Sequence, residues 1–216
     1  MHIPDGFLAP QLYLPAYAVA GVLWAAGLRR VQGTLEDEAI PRVAVMAALA
    51  FVLMTVMVPI PGGTSVHASG IAILALLFGV WAAFLSLSLV LLLQALLFGA
   101  GGVTALPVNA LALGLVGSIV ACGVYRGLRP LQRELAVAVA GWAAPVAAAV
   151  VLAVALGIQP WLARTPDGGP LFFPFGLGVT LPAITGTAAL VGLGEGALTL
   201  LVWRYARARG WLSEGP

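Results

Sequence analysis

The side chains best suited to chemistry in this 216-residue chain are its two histidines, His2 and His67. His2 follows Met1 directly, in "MHIPDGFL". A free amine on Met1, the amide nitrogen of His2 and the His2 imidazole can close two fused chelate rings on one metal ion. That gives three nearly coplanar nitrogens and leaves one corner, which His67 can fill. Four nitrogens in a plane suit Ni(II) or Cu(II), and low-spin Co(II) tolerates them, whereas Zn(II) prefers a tetrahedron. The arrangement requires Met1 to keep its amine. The bulk of His2 disfavours methionine removal, and Pro4 with Asp5-Gly6 then turns the chain into apolar sequence.

Each histidine alone has a plainer reading. A terminal histidine is ordinarily a polar end group, and a loop histidine ordinarily faces water. The metal reading depends on both lying at one face of the molecule, so it rests on the elements that carry them.

Those elements are membrane helices. Hydrophobic residues make up 62% of the chain and charged residues 8%, with a mean hydropathy of +1.07. A soluble domain carries about 25% charged residues, so this chain cannot cover a water-facing surface and is expected to be an all-α integral membrane protein. The ten basic residues are all arginine, and nine of them fall in three clusters: Arg29, Arg30 and Arg42; Arg126, Arg129 and Arg133; Arg204, Arg207 and Arg209. Basic clusters in short loops mark the cytoplasmic side and give no reason to invoke nucleic acid.

A spanning helix needs about 20 apolar residues. Leu12–Leu28 is the first candidate, Leu131–Ile158 follows the second arginine cluster, and Leu177–Trp203 is the last. No charged residue lies between Arg42 and Arg126. With both ends of that stretch inside, the number of spans within it is even. Four short spans, at 43–58, 68–81, 83–99 and 105–125, use its length, with breaks at Gly79 and at "GAGGVT". The expectation is seven transmembrane helices in a single domain over residues 1–216, with the N-terminus outside and the C-terminus cytoplasmic. Met1, His2 and His67 then share the extracytoplasmic face. The opening is a poor secretory signal, because it lacks a basic n-region and carries Asp5, Pro10 and Pro15.

Other polar residues fall near this face. Asp5 makes a turn or receives a ligand imidazole N–H. Thr64 and Ser65 are expected to cap the helix that His67 opens. Gln94, in an apolar run, is expected to bond a neighbouring helix or support the site. Asn109 follows the "GAGGVT" loop and is placed to orient His67. Glu195 is a carboxylate inside the last span. It lies nine residues before Arg204, about 13.5 Å along a helix, so it is expected in the cytoplasmic half, away from the metal, in a structural or coupling role. Cys122 lies in apolar sequence as a packing residue. Alanines recur at four-residue spacing at Ala136, Ala140, Ala144 and Ala148, at Ala16 and Ala20, and at Ala44 and Ala48. Such stripes permit close helix packing or docking of a partner.

No enzyme signature is present. The chain has neither a Gly-rich Lys-Ser/Thr phosphate loop nor His-Glu-x-x-His.

"MHIPDGFL", "PGGTSVHASG", "LLLQALLFGAGGVTALPVNALALGLVG" and "GLGEGALTLLV" resemble the CbiM/NikM family, the cobalt/nickel substrate-binding components of energy-coupling-factor (ECF) transporters. The motifs occur in order over nearly the whole chain. The resemblance implies a seven-helix component of the plasma membrane that binds Co(II) or Ni(II) through Met1, His2 and His67 as transported substrate, without an organic cofactor. It also implies partners: a transmembrane coupling subunit, two cytoplasmic ABC ATPases that hydrolyse the ATP, and often a small accessory membrane subunit. Ala112 stands where a second asparagine is common in the family. The competing reading is a metal-binding channel or sensor without ATP coupling.

Overall fold

The computed structural model describes residues 2–35, 38–60 and 64–211, with backbone alone at 34, 58–60 and 64–66. Met1 therefore lies outside the described residues, as does the side chain of Ser65. The described chain is helical apart from one small hairpin. Its long elements are α1 (Pro10–Thr34), α2 (Ala39–Thr55), α3 (Ile71–Phe98), α4 (Leu106–Leu128), α5 (Arg133–Gly157) and α7 (Leu177–Ala208); α6 is a single turn, Gln159–Leu162. Five of the described helices are long and apolar enough to cross a membrane, and α2 is a shorter apolar helix. The chain is a membrane protein.

Strand β1 (Val58–Ile60) pairs antiparallel with β2 (Thr64–Val66), with Val58 opposite Val66. This hairpin delivers His67 to the bundle. Thr64 and Ser65 sit in the strand, so they do not begin a helix. The helix begins at Ile71 with Gly70 at its N-cap, and Gly70 contributes no side chain. The N–H groups there are satisfied from another helix, as described below.

The break expected at Gly79 is present inside α3. Gly79 has φ 84° and ψ 168°, a conformation outside the helical region that is essentially restricted to glycine. Contacts on either side show what the break does. A Cβ on Gly117 would meet Ile71 at 2.9 Å, and Cys122 Sγ reaches the carbonyl of Ala75 at 3.4 Å. Residues 71–75 thus run alongside 117–122 in the same direction. A Cβ on Gly114 would meet Phe84 at 3.0 Å. A helix continuing straight from Ala75 would carry Phe84 well past Cys122. Phe84 instead lies back beside Gly114, so the chain reverses direction at Gly79. Its outward-running half then passes α1, where Trp81 lies against Gly27 and Trp24 Nε1 donates to Ser88 Oγ at 2.9 Å.

The arginine clusters gather at one end of the bundle. Arg30 stacks over Trp81 and Arg42 over Trp211, while Arg204 on α7 pairs with Glu134 at the start of α5. The alanine stripe of α5 is internal: Ala136, Ala140, Ala144 and Ala148 are all 0% exposed. Opposite it on α7, a Cβ at Gly196 would come within 2.6 Å of the Ala138 carbonyl. Small residues let these two backbones touch, as close packing in a membrane requires. Ala44 and Ala48, by contrast, are exposed.

Candidate metal centre

The end of the bundle opposite the arginines receives the N-terminal strand, which is anchored at three points. Asn109 Nδ2 donates to the carbonyl of Ile3 and Asn109 Oδ1 accepts the Ile3 N–H, both at 2.9 Å. The Ala9 N–H donates to Gln159 Oε1 at 2.8 Å, and Gln159 Nε2 returns to the carbonyl of Ala155. Between them, Asp5 accepts the N–H groups of Val103 (3.1 Å) and Thr104 (2.8 Å) and the Thr104 hydroxyl. Ile3, Leu8 and Ala9 are buried. Strand and bundle therefore behave as one packed unit at this end.

The loop between α3 and α4 is shaped to fit this strand. A Cβ on Gly101 would lie 3.3 Å from His2 Nδ1, and one on Gly102 would lie 2.4 Å from the backbone nitrogen of Asp5. The two glycines allow backbone to lie directly against backbone. Tyr17 on α1 closes the arrangement by donating to the carbonyl of Val103. Asn109 is the last residue before a π-helical stretch, Ala110–Val116. Such stretches interrupt α-helices most often at functional sites.

The strand brings His2 to His67. Their ring centroids are 5.0 Å apart, with planes inclined by 36°. Two imidazoles bound to one ion at roughly 2.0–2.1 Å have centroids roughly 4.4 Å apart at a right angle and 6.2 Å apart when opposite. The observed separation fits a shared ion. The His67 Nδ1–H is 3.1 Å from the carbonyl of Ala68, so that nitrogen serves as donor and Nε2 keeps its lone pair. Burial lowers the pKa of both histidines from their ordinary value. For His2 it outweighs the Gln94 side chain, and for His67 it outweighs the Ala68 carbonyl, both of which favour the proton. Both shifts favour the neutral ring, the form that binds metal.

The other sequence-derived residues divide. Gln94 Nε2 donates to the carbonyl of Phe51 on α2 at 3.2 Å, the bond to a neighbouring helix that was one of the two roles expected of it, and its side chain lies beside His2. Asp5 holds loop backbone and makes no bond to an imidazole among the described residues. Burial pushes its carboxyl up, but the Thr104 hydroxyl and the N–H groups of Thr104 and Val103 outweigh burial and hold it below the usual value. Asn109 spends both atoms of its amide on Ile3, next to His2, rather than on His67. Gln159 was missed by sequence reasoning. Its only signal is a buried amide immediately before Pro160.

Glu195 departs most from expectation. It is fully buried, and its Oε1 accepts the N–H groups of Ser69 (3.1 Å) and Gly70 (2.8 Å) together with the Ser69 hydroxyl. It lies on α7 nine residues before Arg204. It is not remote from the candidate site, because the segment after His67 descends into the bundle to meet it. His67, Ser69 and Glu195 line one small cavity of about 30 Å³, whose other walls are apolar side chains of α4, α5 and α7 such as Leu113, Leu152 and Val191.

Among the described residues, no three His, Cys, Asp or Glu side chains converge on one point. Residues 2–211 match the family described as the cobalt uptake substrate-specific transmembrane region, CbiM. The chain belongs to the CbiM family. It is 39% identical over 212 residues to the fused nickel transport protein NikMN of Rhodobacter capsulatus, covering 94% of this chain and 61% of that protein. It is 33% identical over 206 residues to the cobalt transport protein CbiM of Geobacter sulfurreducens, covering 92% of this chain and 57% of that protein. The chain thus spans about three fifths of the length of these relatives. A solved structure described as a truncated transition metal transporter superposes with a TM-score of 0.91 at 39% identity, covering 97% of this chain and 99% of that one. These relatives are named for nickel in one case and for cobalt in the other.

Proposed function

We propose that this CbiM-family chain is the substrate-capturing component of an ECF-type importer, taking Co(II) or Ni(II) from the extracytoplasmic side. The observation that carries the reading is the juxtaposition of His2 and His67 by an N-terminal strand pinned at Asn109. With Met1 as the first residue, its amine, the His2 amide nitrogen, the His2 imidazole and His67 Nε2 supply a plane of four nitrogens. Asp5, Gln94 and Asn109 hold the strand and loop around that plane, and Ser65 belongs to the hairpin that presents His67. Residues 1–216 act as one transmembrane unit.

Seven spans follow when the two halves of α3 on either side of Gly79 are counted separately. The N-terminus is then outside and the C-terminus, with the arginine clusters, is cytoplasmic, so the protein is a multi-pass component of the plasma membrane. The gathering of arginines at the end opposite His2 supports this orientation. ATP is hydrolysed by two separate ABC ATPases, linked through a membrane coupling subunit, with a small accessory membrane subunit where one is present.

Uptake of radioactive Ni(II) and Co(II) by cells tests the reading. Accumulation should require co-expression of the coupling subunit and both ATPases and should fail when an ATPase is inactivated. Uptake by this chain alone, down the metal gradient, would mark a channel instead. Metal binding with no uptake in any combination would mark a sensor.

A further inference from the structure

The geometry points to Glu195 as the positioning residue for His67: its carboxylate fixes the ligand-bearing segment to helix α7 and so sets where the imidazole stands. This rests on the reading of His67 as a metal ligand and adds what holds that ligand in place.

Helix α3 begins immediately after the ligand loop, with Gly70 as its N-cap and no capping side chain of its own. The first N–H groups of a helix have no intrahelical partner and must find one elsewhere. Here the partner is a carboxylate from a helix 125 residues further on, bonded to the N–H of Gly70, with the N–H and hydroxyl of Ser69 on the same oxygen. Negative charge suits a helix N-terminus. Hydrogen bonds to a charged acceptor are the strong ones, and more so away from water. Ser69 is two residues from His67. With Ser69 and Gly70 fixed, the Cα of His67 has little freedom, and its ring is directed toward His2.

The setting adds a second line of support. His67, Ser69 and Glu195 border a common cavity whose other walls are apolar. A buried carboxylate in a span is costly, so a leucine would satisfy packing at lower cost. The same helix α7 ends near Arg204, which pairs with Glu134. The ligand loop is thereby tied through one continuous helix to the arginine-bearing end of the bundle.

The test uses full-length, C-terminally tagged protein titrated with NiCl₂, reading both affinity and the visible absorption of the saturated complex. Glu195→Gln keeps an acceptor oxygen but loses the charge, and Ser69→Ala removes only the hydroxyl. Both should weaken Ni(II) binding, Glu195→Gln by about 10–100-fold, and should shift the absorption bands at saturation, because the donor has moved. A role confined to general folding would lower thermal stability and leave the saturated spectrum unchanged. In a His67→Ala background, Glu195→Gln should change residual binding by less than about twofold, since residues acting through one another are non-additive. Wild-type affinity and spectrum in Glu195→Gln, or an equal loss in both backgrounds, would overturn the proposal while leaving the His67 assignment standing. Unchanged binding in His67→Ala itself would overturn both.

Discussion

Asn109 and Ile3 exchange two 2.9 Å hydrogen bonds across 106 residues of sequence, so a single side chain does the work of a neighbouring β-strand. The amide group presents one donor and one acceptor at the spacing of a peptide unit, and Ile3 is held one residue beyond His2. The position of His2 is therefore set by α4.

Asn109→Ala should uncouple the strand without touching any ligand. It leaves the buried N–H and carbonyl of Ile3 unpaired, each costing about 1–3 kcal/mol. Ni(II) affinity should fall by about 10–100-fold, while expression and helical circular dichroism stay close to wild type. Undiminished affinity in titration calorimetry would show that the strand is held by other contacts.

Gly102 makes a steric prediction. A methyl group there would sit 2.4 Å from the backbone nitrogen and Oδ1 of Asp5, far inside van der Waals contact. Gly102→Ala must push the N-terminal strand outward, taking His2 with it. Metal affinity should drop by at least about tenfold, the scale of damage expected from a displaced supporting group. Gly21, which faces open space on α1, should accept alanine with no change in binding.

Acid should loosen the same region. Burial lowers the pKa of His2 and His67, whereas both are near 6.5 in an unfolded chain. Above that value the rings are neutral in both states. As pH falls through it, the unfolded chain takes up protons that the buried rings refuse. Stability present above about pH 6.5 is therefore lost until the lowered folded values are reached. The melting temperature of metal-free protein should fall between about pH 7.5 and pH 5. The double substitution His2→Ala, His67→Ala should flatten that slope, and an unchanged slope would assign the acid sensitivity elsewhere. Metal affinity should rise with pH over the same range, as protons leave the nitrogen donors.

Topology can be read from labelling. A cysteine at Leu35, between α1 and α2 and beside Arg29, Arg30 and Arg42, should resist an impermeant thiol reagent in intact cells and react after permeabilisation. Reaction in intact cells would overturn the seven-span arrangement. Cys122 is buried and should contribute little background.

Much of the frame is legible from composition. Sparse charge and three arginine clusters mark the membrane and one end of the bundle, and Gly79 marks the reversal, because only glycine adopts its backbone angles cheaply. His2 and His67 stand out as the only imidazoles. What escapes the sequence are long-range bonds. Nothing near Asn109 reveals that its partner is the backbone of Ile3, and nothing near Gln159 points to Ala9. The rise of a helix gives the distance of Glu195 from Arg204 along α7. The partner of Glu195 was missed because the path of residues 67–70 into the bundle leaves no periodic signature. Thr64 and Ser65 read locally as helix caps. The local signal lost because the hairpin continues through Val66, and the helix start is satisfied from α7 instead.

The central claim is that the metal is held by His67 together with nitrogens at the very front of the chain. It is tested most directly by comparing Ni(II) titrations of three proteins: the chain beginning at Met1 with a C-terminal tag, the same chain with one added N-terminal glycine, and its His67→Ala variant. An added residue turns the Met1 amine into a secondary amide and forces bulk into a close-fitting strand. The first protein should bind one Ni(II) tightly, and the other two should each lose high-affinity binding. Equal affinity in the first two would contradict the account and require a site built without the terminal amine.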